Sequence, residues 1–285
     1  MIHETRSEGH VQRQPLTNEE KKMTRSNTFR GLWAAVVAAA LLVATTTTGA
    51  TEQKNQSRGV TNIVLVHGAW ADGSSWSKVV PLLEARGLHV VAVQLPLTSL
   101  ADDAATVTRA LALEDGPVLL VAHSYGGVVI TEAGNDAKVA GLVYVAAFAP
   151  MEGQSAFDLA IANPTPLLPE LRQDSFGFLK ITPTGIRKDF AQDLSETEQA
   201  LLTATQSPTA AGASLSAPVS TAAWRNKPSW FVIAAHDRVV APALQAMEAQ
   251  QMNATSITLQ ASHVAMLSQP FAVASFIRRA AREVR

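Results

Sequence analysis

A serine stands in a turn of small residues directly after an apolar run. The segment VLLVAHSYGGVVI, residues 118–130, suits a strand buried on both faces, followed by a sharp turn into a helix. Around Ser124 it matches the nucleophile elbow G-x-S-x-G, with Ala122 and Gly126 as the small residues. A hydroxyl needs a neighbouring base to become a useful nucleophile. Ser124 is therefore a candidate nucleophile, and a plain turn serine is the alternative.

A base and an acid are expected on later loops. His263 follows the last predicted strand in QASHVAMLSQP, and Asp237 follows the fifth in IAAHDRVVAP. An acid at this position can orient the imidazole and stabilise its cationic form. The alternatives are a histidine that caps the final helix or bonds within the core, and a turn aspartate paired with Arg238. The loop after the fourth strand offers no acid before Glu152, which favours Asp237.

Backbone N–H groups are expected to stabilise a developing oxyanion. We assign this oxyanion hole to the amides of Ala69, in HGAWADG, and of Tyr125, which follows the serine. The alternative is that HGAWADG only turns the chain from strand to helix. The histidines that adjoin these motifs, His67 and His123, are predicted to be structural.

Six strand-like segments alternate with helical stretches from about residue 60, which predicts a mostly parallel sheet with helices on both faces. The predicted strands are 62–66, 88–93, 117–122, 139–146, 229–234 and 256–260. Because ligands bind beyond the carboxyl ends of parallel strands, the residues that follow these strands are the ones expected to carry chemistry.

The stretch 150–226 interrupts the alternation. It is rich in proline, alanine, serine and threonine, and it has no apolar run long enough for a core strand. We expect a small, mostly helical cap inserted into a core formed by 58–149 and 227–285. Apolar cap residues could line a substrate site or pack within the cap: Phe157, Leu167, Leu168, Phe176 and Phe178.

Composition limits the range of functions. With 285 residues, 47% of them apolar, the chain can bury one large core. The formal net charge is −1 and no block of lysine and arginine is present, so the sequence shows no basic patch of the kind that binds nucleic acid. No cysteine is present, so a thiol nucleophile and thiolate zinc sites are excluded. The expected partner is a small molecule, and the oligomeric state is not predicted.

The N-terminal extension, residues 1–50, resembles a secretory signal. The apolar run 32–44 follows Arg25 and Arg30 and precedes small residues suited to cleavage. It is shorter than the roughly 20 residues that span a bilayer, so export is favoured over an uncleaved anchor, and no stable membrane span is expected after cleavage. The run MTRSNTFRG makes Met23 an alternative start.

From residue 60 onward the chain resembles compact α/β-hydrolases, the group of plant methyl esterases, hydroxynitrile lyases and bacterial esterases. The motifs LVHGAW, HSYGG, HDRVVAP and SHVAMLSQP occur in the matching order. The resemblance implies an α/β-hydrolase fold and a triad of Ser124, Asp237 and His263. It implies a serine esterase that acts through an acyl-enzyme on small to medium, largely apolar esters and needs no metal or organic cofactor.

One departure from the group bears on its chemistry. Its lyases carry a lysine after the catalytic histidine, where this chain has Val264, and this disfavours cyanohydrin cleavage. The remaining alternatives are other non-hydrolytic uses of the site, such as cofactor-free perhydrolase chemistry, and a catalytically silent binding protein.

Overall fold

The computed structural model describes residues 59–284, so the predicted signal segment lies outside the described residues. Nine strands are present in this part of the chain: β1 Asn62–Val66, β2 His89–Ala92, β3 Val118–His123, β4 Val139–Val145, β5 Leu171–Gln173, β6 Phe178–Ile181, β7 Thr209–Ala210, β8 Ser229–Ala234 and β9 Thr255–Leu259. Nine α-helices are assigned in the same range: α1 Val80–Glu84, α2 Leu100–Leu113, α3 Gly126–Ala133, α4 Ala156–Ala162, α5 Pro183–Gly185, α6 Glu196–Thr205, α7 Pro242–Gln251, α8 Ala265–Ser268 and α9 Pro270–Glu283.

The six predicted strands form one sheet in the order β2-β1-β3-β4-β8-β9, and every neighbouring pair is parallel. All residues of β1 and β3 are buried, as expected for strands covered on both faces. The register pairs Val66 with Ala122 and Ala122 with Tyr144, so the loops that follow these strands leave the same edge.

Helices cover both faces of the sheet. Helix α2 packs against α3, and α1 packs against α9. In α9, Val273, Phe276, Ile277 and Ala280 are buried at the spacing of one helical face. The predicted α/β-hydrolase architecture is confirmed. No helix among residues 59–284 has the length and apolar character needed to cross a membrane.

The cap is less helical than the sequence predicts. It contains α4, α5 and α6, but also a three-stranded antiparallel sheet in the order β5-β6-β7. These strands have only three, four and two residues, too short to produce an apolar run that a sequence reveals. Their first hairpin turns at Gly177, whose φ of 86° favours glycine.

A carboxyl group is buried between the sheet and α7. Glu248 is 2% exposed, its Oε1 accepts a hydrogen bond from the Ala149 amide at 2.8 Å, and its Oε2 has no partner among the described residues. Burial raises the pKa of Glu248 to about 8 from 4.5. The folded protein therefore holds a proton here that the unfolded chain releases above about pH 4.5.

We expect Glu248→Gln to flatten the pH dependence of stability. The raised pKa means that the wild-type contribution is complete below about pH 4.5 and is lost as pH rises towards 8, at up to about 1.4 kcal/mol per pH unit. Glutamine keeps an acceptor for Ala149 and does not titrate. Urea unfolding at pH 5 to 8 measures the slope, with exposed Glu84→Gln as the control. Identical slopes in wild type and Glu248→Gln would contradict the assignment.

Candidate active site

Ser124 lies in a strained turn between β3 and α3. Its φ is 54°, a left-handed conformation that is uncommon for residues other than glycine. The neighbouring glycines permit close packing. A Cβ on Gly126 would lie 2.6 Å from the carbonyl oxygen of His67, and one on Gly127 would lie 2.1 Å from that of Phe148. The turn thus brings Ser124 to the carboxyl edge of the sheet at a backbone position that the surrounding structure must maintain.

His263 and Asp237 form a buried hydrogen-bonded pair. The distance from Nδ1 of His263 to Oδ2 of Asp237 is 2.8 Å, and both side chains are fully buried. The other carboxylate oxygen of Asp237 accepts hydrogen bonds from the amides of Val239, at 2.8 Å, and Val240, at 3.0 Å. Donation from Nδ1 to the carboxylate leaves Nε2 as the acceptor nitrogen of a neutral imidazole, the tautomer that a general base requires.

Gln245 completes the surroundings of the acid, and sequence reasoning missed it. Its Nε2 donates to Oδ2 of Asp237 at 2.8 Å and to the carbonyl oxygen of Val240 at 2.7 Å. Its Oε1 accepts from the amide of Ala234 at 2.9 Å, and the residue is fully buried. A glutamine on a helix ordinarily faces solvent, so its residue type gave no signal of this role.

Ser124 and His263 both lie next to His123. The His123 and His263 ring centroids are 4.5 Å apart, and Nε2 of His123 donates to the carbonyl oxygen of His263 at 3.0 Å. A Cβ on Gly68 would be 2.7 Å from Cβ of Ser124 and 3.1 Å from Nδ1 of His123. Nε2 of His263 has no hydrogen-bond partner within residues 59–284. Ser124 and the imidazole of His263 therefore lie in the same region, but they are not hydrogen-bonded to each other.

Burial keeps His67 of the HGAWADG motif and His123 of the HSYGG motif neutral. Burial, and secondarily the nearby His263, lower the pKa of His123 well below its usual value. Burial also lowers the pKa of His67, whose Nδ1 donates to the Gly68 carbonyl at 2.8 Å and whose Nε2 accepts from the Leu95 amide at 2.9 Å. Their hydrogen bonds hold the two loops in place.

The predicted oxyanion donors border the same cavity as Ser124. Within the described residues, neither the amide of Ala69 nor that of Tyr125 donates to an acceptor of the chain. Trp70 links this loop to the cap: its amide donates to Oγ1 of Thr209 at 3.1 Å and its indole N–H to the Leu179 carbonyl at 2.9 Å.

The hydroxyl group of Tyr125 is hydrogen-bonded to a buried carboxylate. The hydroxyl donates to Oδ2 of Asp103 at 2.8 Å, while Oδ1 of Asp103 accepts from the Leu97 amide at 2.8 Å. Burial raises the pKa of Asp103 to about 6. Burial, together with the adjacent Asp103, raises the pKa of Tyr125 as well. This pair holds the peptide that carries one of the predicted oxyanion donors.

An apolar cavity opens beside Ser124 under the cap. The centre of a water molecule can occupy about 40 Å³ of it, compared with roughly 10–15 Å³ for a single water. Of the predicted lining residues, Phe157, Leu167 and Leu168 border the cavity. Phe176 does not, because it lies at the hairpin tip and is 85% exposed, and Phe178 is also outside the lining.

Comparison with known proteins identifies the family. The model of the alpha/beta hydrolase family matches residues 63–276, and the chain belongs to this family. A pyrethroid hydrolase from Sphingobium wenxiniae is 40% identical over 101 residues, which cover 31% of this chain and 36% of that enzyme. Methylesterase 7 of Arabidopsis thaliana is 37% identical over 116 residues, or 35% of this chain and 43% of the relative. The chain thus matches less than half the length of these two curated relatives.

A solved structure of a related enzyme is similar to this protein over nearly the whole length of that enzyme. The crystal structure of a pyrethroid hydrolase from Sphingobium faniae superposes with a TM-score of 0.70 at 25% identity, and covers 79% of this chain and 98% of that one. The predicted resemblance to compact α/β-hydrolase esterases is confirmed. Each of these three relatives is named as a hydrolase or an esterase.

We expect Gln245→Leu to destabilise the protein. The change removes three buried hydrogen bonds and leaves the Ala234 amide and an Asp237 oxygen short of partners, at a cost of about 1–3 kcal/mol for each orphaned group. Urea unfolding measures the loss. Gln250→Leu, an exposed change on the same helix, is the control and should stay within about 0.5 kcal/mol of wild type. Equal stability of the two variants would show that the network contributes nothing.

Proposed function

We propose that the protein is a serine esterase that cleaves small, apolar carboxylic esters through an acyl-enzyme on Ser124. The observation that carries the proposal is the buried His263–Asp237 hydrogen bond, which leaves Nε2 free, beside a serine in a strained elbow. The names of the hydrolase and esterase relatives support the same class of reaction.

In the proposed reaction, Nε2 of His263 removes the hydroxyl proton as Oγ of Ser124 attacks the ester carbonyl carbon. Asp237 stabilises the imidazolium that forms. The amides of Ala69 and Tyr125 donate to the tetrahedral oxyanion. The carbon–oxygen bond to the alcohol then breaks, and His263 gives its proton to the departing alkoxide. Water, deprotonated by the same imidazole, releases the acid and restores the serine.

The cavity favours a small, uncharged acyl or alcohol group. Its cap side is built from Phe157, Leu167, Leu168 and Leu215, and within residues 59–284 no lysine, arginine, aspartate or glutamate borders it. A charged group would lose its hydration there without a partner. The space beside Ser124 is much smaller than the roughly 300–1,000 Å³ of pockets that enclose drug-sized ligands. We therefore propose a preference for short acyl chains.

We expect Ser124→Ala to reduce ester hydrolysis by about 10⁴- to 10⁶-fold and to abolish covalent labelling by a fluorophosphonate. Alanine removes the attacking oxygen while the fold keeps its other contacts. p-Nitrophenyl acetate hydrolysis and intact-protein mass spectrometry are the measurements. Ser75→Ala removes a different buried serine and should behave as wild type. Persistent hydrolysis by a folded Ser124→Ala protein would remove the serine from the mechanism.

We expect Leu167→Ala to shift the preference towards longer acyl chains. Leu167 is 2% exposed and borders the cavity, so its truncation adds room beside Ser124. The ratio of kcat/KM for p-nitrophenyl hexanoate to that for the acetate should rise. Leu159→Ala is the matched control, because Leu159 is buried in the cap but does not border the cavity. A ratio that is unchanged, or that rises equally in both variants, would contradict the role of Leu167.

A further inference from the structure

A five-residue segment of the cap contacts both loops that carry the His263–Asp237 pair. We call Asp189–Asp193 the cap clamp. It begins within the π-helix Ile186–Phe190 and runs into the irregular chain before α6. Isolated π-helical turns are rare and occur frequently at functional sites. The contacts of the cap clamp form two groups, one with the loop of Asp237 and one with the loop of His263.

On the acid side, the cap clamp holds the residues that flank Asp237. Oδ1 of Asp189 accepts from Nε of Arg238 at 2.6 Å, and the carboxylate is almost fully buried. Nε2 of Gln192 donates to the carbonyl oxygen of His236 at 2.7 Å. The cap is therefore bonded to the acid loop at the backbone of His236, directly before Asp237, and at the side chain of Arg238, directly after it.

On the base side, the cap clamp reaches the peptide that precedes the imidazole. Oδ2 of Asp193 accepts from the amide of Ser262 at 2.7 Å. The ring of Phe190 meets the ring of His263 edge-on, with centroids 5.0 Å apart. Nε2 of His123 donates to the carbonyl oxygen of His263 from the core. The backbone on either side of the His263 side chain is thus held by two hydrogen bonds, one from the cap and one from the core.

We propose that Asp193 is a positioning residue for the general base and that the cap sets the geometry of His263 through it. The inference rests on the proposed ester hydrolysis. Hydrogen bonds to ionised carboxylates are about twice as strong as neutral ones, so the Asp193 bond is a strong restraint on the loop. A displacement of about 1 Å at a reacting group costs roughly 100-fold in rate. Asp193 touches neither the cavity nor the serine, so its effect passes through His263.

The test compares Asp193→Ala with Asp193→Asn. Loss of the acceptor should lower kcat for p-nitrophenyl acetate about 10- to 100-fold and leave KM nearly unchanged. Asparagine still offers an oxygen to the Ser262 amide and should restore most of kcat. The downfield proton NMR signal of Nδ1–H of His263 reports the hydrogen bond to Asp237 directly. It should shift or broaden in Asp193→Ala and persist in Asp193→Asn.

Asp174→Ala is the matched control, since Asp174 also accepts backbone amides in the cap, those of Phe176 and Phe178, but in a hairpin that does not contact the pair. It should leave kcat and the NMR signal unchanged. Wild-type kcat in Asp193→Ala, equal losses in both Asp193 variants, or an equal loss in Asp174→Ala would each overturn the proposal. An inactive Ser124→Ala beside a fully active Asp193→Ala would refute the positioning role alone. Hydrolysis by Ser124→Ala would refute the esterase mechanism itself.

Discussion

The hydrogen bond between His263 and Asp237 is the interaction on which the site depends. Both side chains are removed from water, and a buried carboxylate without donors would cost several kcal/mol. The fold offsets this with donors on each oxygen of Asp237: two loop amides on Oδ1, and Gln245 and His263 on Oδ2. The imidazole is therefore one of four donors, and its orientation follows from the fixed position of the carboxylate. An acid on a flexible surface loop could not impose this tautomer.

The nucleophile elbow differs from the Asp237 site. There, hydrogen bonds offset an unfavourable burial, whereas at the elbow the surrounding packing maintains a strained backbone. Ser124 holds a positive φ, which costs about 1–3 kcal/mol and persists only where packing enforces it. The enforcing contacts are close backbone approaches: α3 meets the end of β1 at Gly126 and the chain after β4 at Gly127. Larger residues at these glycines would push α3 away from the sheet. The fully buried parallel strands provide the rigid base that this geometry requires.

The sequence predicts the sheet well because strands are local patterns, and the motifs that follow those strands are also local, which is why they single out Ser124, Asp237 and His263 as candidates. Each strand of the large sheet is visible in the sequence as a strand-like segment, and β1 and β8 begin and end where predicted. The strands of the cap sheet are not visible in the sequence, because strands of two to four residues are too short to show a periodicity. Gln245 and Asp193 were missed for another reason. Their partners are 8 and 69 residues away in the chain, and polar residues on helices and loops are ordinary at those positions. Only tertiary packing distinguishes them from neighbouring polar residues.

The cap is hydrogen-bonded to three of the four loops that carry catalytic candidates. It bonds Trp70 beside the Ala69 amide, Arg238 beside Asp237, and Ser262 beside His263. The same insertion lines the cavity next to Ser124. In the proposed mechanism, a cap movement that admits a larger ester must therefore break these bonds or carry the loops with it, and so it loosens or displaces the groups assigned as base and oxyanion donors. For the proposed esterase, substrate size and catalytic geometry are thus coupled through one insertion. Such a coupling would give the proposed esterase a physical reason for selectivity beyond simple exclusion, because an ester that holds the cap open would also weaken the alignment needed to cleave it.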